Sequence, residues 1–239
     1  ALGTIKLDGN YPTGTDNVAL GDTALDSVEA GGVGNVAIGS KAGTAITTGD
    51  NNVAIGHCAL LVNTTGGDNV GIGRRALDAN ISGVSNVAIG SSALTANTTA
   101  CENTAVGHEA LDSNTTGDFN IAIGTAALDK NTTADGNVGV GASALRCNTT
   151  GSCNVGIGFI ALCKNTTGSQ NTAIGKESMD ANTTGSNNVA VGKGSLGVNT
   201  TADSNTGVGF NALSANTTAS NNTALGNSAM KLNTTGASN

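Results

Sequence analysis

Through most of the chain a large apolar residue is followed by Ala or Gly, a second large apolar residue and then Gly, as in Val53-Ala54-Ile55-Gly56. Alternation with period 2 over so few positions predicts a short β-strand that ends at a corner. Two variable positions follow, then usually Ala-Leu, two more variable positions, and a polar run of Asn-Thr-Thr with Gly or Ala. The block begins at Asn17, Asn35, Asn52, Asn69, Asn86, Asn103, Asn120, Asn137, Asn154, Asn171, Asn188, Asn205 and Asn222, and Asn239 opens one more. From Asn35 onward each step is 17 residues; the first step is 18, which places one inserted residue within 26–34. A fixed short period is the signature of stacked repeats, so the pattern predicts an all-β fold, a parallel β-solenoid of thirteen 17-residue coils over 17–239. Residues 1–16 break the pattern, hold the single proline, Pro12, and read as an irregular lead-in, cap or joining strand.

Numbering each coil 1 to 17 from its first Asn gives every position a physical expectation. Positions 2 and 4 share one face of the strand, and position 3, always Ala or Gly, lies on the other. A strand large on one face and small on the other is expected to be buried on both, with position 3 taking the close approach of another chain. Position 5 is Gly in all thirteen coils, a corner that needs positive φ or no Cβ. Positions 8 and 9 are expected to start a second strand and put one large apolar group per coil into the core. Positions 12 to 15 are expected to form a second corner and a short polar strand, with stacked asparagines forming amide ladders.

Charge placement supports this division. From Asn35 onward all 21 charged side chains fall at positions 6, 7, 10, 11, 16 or 17, where the sequence also varies most. Those positions are expected to face water. Aromatics are 2% of the chain and charged residues 11%, too few of either for an ordinary globular domain. The net charge of −7 argues against nucleic acid as a partner. No apolar run approaches the ~18–20 residues of a membrane span, so no membrane insertion is expected.

Candidate chemistry is sparse, and no catalytic residue, metal or cofactor is expected. His57 and His108 both occupy position 6 but stand three coils apart, roughly 14 Å by strand spacing, too far to share a metal. Carboxylates are scattered singly or in pairs per coil, without a hydrolytic constellation, and aromatics for stacking on sugars are lacking. The five cysteines form no Cys-x-x-Cys spacing; Cys147 and Cys163, at positions 11 and 10 of adjacent coils, are a candidate inter-coil disulfide. Sequons recur at position 12, at Asn63, Asn80, Asn97, Asn114, Asn131, Asn148, Asn165, Asn182, Asn199, Asn216 and Asn233, with a twelfth at Asn221. They are candidate N-glycosylation sites, although stacking accounts for the same motif without a glycan.

The string Asn-Val-Ala-Ile-Gly at Asn35–Gly39, Asn52–Gly56 and Asn86–Gly90 resembles the head repeats of trimeric autotransporter adhesins. The longer unit, as Asn171-Thr-Ala-Ile-Gly followed by Asn182-Thr-Thr-Gly, resembles repeats of phage and other viral tail fibres. The likeness covers 17–239 and implies a left-handed β-roll, homotrimeric, on a cell or virion surface. The adhesin head unit is shorter than 17 residues, so the coil shape is expected to differ. The function expected is a structural or adhesive fibre segment acting as a rigid rod, partnered by its own copies and by an unidentified cell-surface receptor. A self-assembling extracellular filament joined end to end is the alternative. Ice binding is a weaker one, because the paired threonines are adjacent and point to opposite faces. None of these readings is an enzyme.

Overall fold

The structure, a computed structural model, describes residues 14–29 and 31–239. Thus 1–13, most of the expected 1–16 lead-in, lie outside the described residues. The chain divides into two compact units, Ala1–Phe119 and Asn120–Asn239, and the division falls between coils 6 and 7. Each coil supplies one strand, at positions 2 to 4. In the first unit these are β1 (Val18–Leu20), β2 (Val36–Ile38), β3 (Val53–Ile55), β4 (Val70–Ile72), β5 (Val87–Ile89) and β6 (Thr104–Val106). Each pairs in parallel with the next, position for position: Val53 lies beside Val70, Ala54 beside Gly71 and Ile55 beside Ile72.

The second unit repeats this with β7 (Ile121–Ile123), β8 (Val138–Val140), β9 (Val155–Ile157), β10 (Thr172–Ile174), β11 (Val189–Val191), β12 (Thr206–Val208) and β13 (Thr223–Leu225). These seven also pair in parallel, in chain order. The architecture is a β-solenoid, as the 17-residue period predicts.

The expected second strand at positions 8 and 9 and the polar strand near 12 to 15 do not form. Positions 6 to 11 are a run of turns and 13 to 14 are bends. The backbone explains this, because positions 7 and 9 hold left-handed φ, as at Cys58 (58°) and Leu60 (51°), and an extended strand cannot pass through them. For Leu this conformation costs roughly 1–2 kcal/mol. It aims the side chain inward, and Leu60, Leu77, Leu94, Leu128, Leu145 and Leu162 all have zero exposure. Full burial of a Leu stabilises by about 1.5–3 kcal/mol, so burial wins at this position.

The face assignment of the strand is reversed from expectation. Position 3 points into its own coil: Ala37, Ala54, Ala88, Ala122 and Ala173 have zero exposure. A Cβ added at Gly156 would stand 3.1 Å from Leu145 Cγ, so the preceding coil's Leu lies over position 3. No other chain is needed to explain why that position is small. The core is a thin stack of Ala at positions 3 and 8 and Leu at position 9.

Coil 2 departs from this packing and compensates within itself. Gly43 stands at position 9, and Ile46, at position 12 in place of Asn, is fully buried. A Cβ at Gly43 would lie 2.9 Å from Ile46 Cδ1, so the Ile fills the space that the missing Leu leaves. The inserted residue of coil 1 lies between Glu29 and Gly32. Glu29 N–H still donates to Thr47 O (3.0 Å), but Asn17 Nδ2 reaches Gly32 O (2.8 Å) 15 residues on rather than 14.

Position 5 is the one corner where only Gly fits. Gly158 has φ 134°, and a Cβ there would sit 2.6 Å from the carbonyl oxygen of Gly175 in the next coil.

Candidate interaction surfaces

Two asparagine columns run inside each unit. At position 1, Asn171 donates from both its backbone N–H (3.0 Å) and its Nδ2 (3.1 Å) to Asn154 Oδ1, one coil back. At position 12, Asn165 Nδ2 donates to Asn148 Oδ1 at 2.7 Å, and Asn182 Nδ2 to Asn165 Oδ1 at 2.8 Å. The two columns meet at the carbonyl of position 15. Gly168 O accepts from Asn154 and from Asn165, both at 2.8 Å. Buried amides satisfied on every side rigidify the layer that holds them. Among the described residues Asn205 Nδ2 is the exception, buried without a partner.

This geometry governs the sequons. Asn63, Asn80, Asn97, Asn114, Asn131, Asn148, Asn165, Asn182, Asn199 and Asn216 have zero exposure, and Asn233 is half-buried. At Asn80, Asn97, Asn165 and Asn182, whose Nδ2 groups each donate twice, a glycan would replace a hydrogen that the ladder uses. Asn221 differs: it is exposed at position 17 with φ 63°. Among the threonines, position 13 bonds between coils, as Thr166 Oγ1 does to Thr183 O (3.0 Å), and position 14 is exposed, as at Thr150, Thr167 and Thr184.

Positions 2 and 4 form the outer surface. In the first unit Val18 is 48% exposed and Ile89 38%; in the second Ile121 is 39%, Ile123 41% and Ile157 38% exposed. Since each strand repeats the pattern in register, each unit carries an apolar stripe of Val, Ile and occasional Thr across its sheet.

The variable positions hold the charges, though not all in water. Asp78 and Asp129, both at position 10, are largely buried and paired: Arg75 Nε donates to Asp78 at 2.6 Å and Lys130 Nζ to Asp129 at 3.1 Å. Burial also raises the carboxyl pKa of Asp180 above the usual range, against the opposing pull of Lys164.

Cys147 N–H donates to Cys163 O at 3.0 Å, so the two residues adjoin across coils, and both thiols are free. Burial, and then the neighbouring Cys147, push the Cys163 thiol pKa up. His57 Nε2 lies 3.6 Å from Cys58 Sγ, and His108 Nδ1 lies 3.7 Å from Glu109. Among the described residues no three His, Cys, Asp or Glu gather as a metal site, and no helix is long and apolar enough to cross a membrane.

The period hid one arrangement until the coils were stacked. Phe159, Lys176, Lys193 and Phe210 occupy position 6 of four consecutive coils. Lys176 Nζ lies 5.8 Å from the centroid of the Phe159 ring, and Lys193 Nζ lies 6.0 Å from that of Phe210. Against the expectation that aromatics for stacking on sugars are lacking, Phe159 and Phe210 are both exposed beside this column's lysines; their shared position was the available signal.

Comparison of the chain with protein-family models, with curated proteins and with solved structures returns no match.

Proposed function

We propose that this chain is a structural or adhesive fibre segment, displayed outside the cell or on a virion, whose copies associate side by side as a homotrimer. The observation that carries the reading is the apolar stripe at positions 2 and 4. Soluble monomers rarely leave a large contiguous apolar surface open, and one framed by polar positions marks an interface. A second copy is the occupant proposed here because within each unit the stripe repeats at every coil, so a partner with the same repeat matches it level by level. Closed rotational symmetry is the usual way in which identical chains satisfy such a surface. The adhesin and tail-fibre likeness supplies the number three and the extracellular setting.

This reading moves the contact between chains from position 3 to positions 2 and 4. It assigns the buried amide columns to rigidity and gives no residue a catalytic role. Light scattering on the purified chain tests it. Discrete trimers at micromolar concentration are the expected result. A monomer that persists at high concentration would remove the stripe as an interface, and open-ended filaments would favour end-to-end assembly instead.

A further inference from the structure

In the second unit, the column at position 6 of coils 9 to 12 reads Phe159, Lys176, Lys193, Phe210. Successive members stand about one strand spacing apart, ~4.8 Å. Phe159 is 52% exposed and Phe210 46%. Two ammonium groups this close repel, and the side chains divide accordingly, Lys176 over Phe159 and Lys193 over Phe210. Lys176 also meets Glu177 at 3.3 Å, whereas Lys193 has no acidic partner among the described residues. Beside Lys193, Gly194 (φ 64°) stands at position 7, where other coils carry a side chain, and the Asn211 side chain of the next coil lies against it: a Cβ there would be 2.5 Å from Asn211 Oδ1.

Two exposed rings, two cations and the neighbouring Asn211 amide make a site with definite chemistry. The rings offer flat apolar faces, and the lysines offer charge for one or two anions. Nucleic acid and other long polyanions fit poorly, because a chain of net charge −7 would repel the rest of such a ligand. A short ligand whose apolar faces alternate with carboxylates fits better. We propose that this column binds an acidic oligosaccharide, with sugar faces on Phe159 and Phe210 and a carboxylate on Lys193. The proposal rests on the adhesive part of the function proposed above, and gives it a ligand class.

The experiment is ligand-observed NMR titration of the full chain with two carboxylated sugars of different origin, tetragalacturonate and sialyllactose, beside neutral maltotetraose. Expected is saturable binding of at least one acidic sugar, weakened about tenfold by Lys193→Gln and at least about fivefold by Phe210→Ala. Phe119→Ala, which alters an exposed ring at position 17, leaves binding unchanged and controls for general aromatic contact. Which acidic sugar binds more tightly separates a uronate from a sialate source. No binding by either, equal binding of maltotetraose, or binding that survives the double variant Lys176→Gln/Lys193→Gln would overturn the proposal. Equally tight binding of a polyglutamate peptide without dependence on Phe210 would also overturn it. Light scattering on the same samples reports assembly separately, so a failed ligand and a failed oligomer are told apart.

Discussion

Asn165 shows what one residue contributes in this fold. Its Nδ2 donates to Asn148 Oδ1 and Gly168 O, and its Oδ1 accepts from Asn182, all within a fully buried layer. Asn165→Ala removes these bonds and leaves Asn148 Oδ1 and one Nδ2 hydrogen of Asn182 unpaired inside, while Gly168 O keeps its bond from Asn154, at roughly 1–3 kcal/mol for each orphaned group. The expected loss is about 3 kcal/mol of unfolding free energy, measured by denaturant titration. Two residues on, Thr167 points its side chain to solvent, and Thr167→Ala should change stability by less than about 0.5 kcal/mol. Equal effects at the two positions would show that the ladder does not hold the coil. The same contrast separates a structural Asn-Thr-Thr motif from a glycan acceptor, since only the second needs Asn165 at the surface.

At the scale of the coil, the decisive feature is which face of a three-residue strand turns inward. Period 2 fixes that positions 2 and 4 share a face and position 3 takes the other, but both assignments satisfy the same alternation. The choice depends on what else occupies the interior. Leu145 and its equivalents at position 9 fill so much of the narrow coil that only Ala or Gly fits beside them, which the Gly156 geometry shows. The 17-residue period, the glycine corner at position 5 and the buried Leu were therefore legible in sequence. The inward face and the absence of a second strand were not, because both follow from left-handed backbone at Leu and at position 7, a conformation that residue type alone does not announce. Position 6 failed to stand out for a simpler reason. Its residues vary, and only stacking brings Phe159 and Phe210 to either side of two lysines. The face assignment has a direct test. Ala173→Val overpacks the interior and should cost about 1–3 kcal/mol, whereas Val155→Thr on the half-buried outer face, a change the chain itself makes at Thr104, Thr172, Thr206 and Thr223, should cost less than about 1 kcal/mol. Thermal unfolding of the two variants reads the difference, and the opposite order would return position 3 to the surface.

At the scale of the whole molecule, the apolar stripe of each unit constrains how copies associate as well as whether they do. If identical chains pack around an axis that runs along the stack, each coil meets its own equivalent, and Ile157 of one chain faces Ile157 of the others. Ile157 is 38% exposed, so a substitution there alters the outer surface more than the packing of the coil. Ile157→Lys then places like charges together at one level of an apolar contact, at a cost of several kcal/mol, and the oligomer should dissociate while the chain keeps its circular dichroism spectrum. Ile157→Glu should dissociate for the same reason. Mixing the two variants in equal amounts should restore oligomers containing both chains, because two of the three pairs at that level in a mixed trimer join lysine to glutamate, and light scattering of the mixture detects them. An antiparallel arrangement would bring position 157 against a different coil. Each single variant would then still weaken the contact by burying an unpaired charge, but mixing would restore nothing, so the mixing measurement separates in-register association from any other use of the stripe.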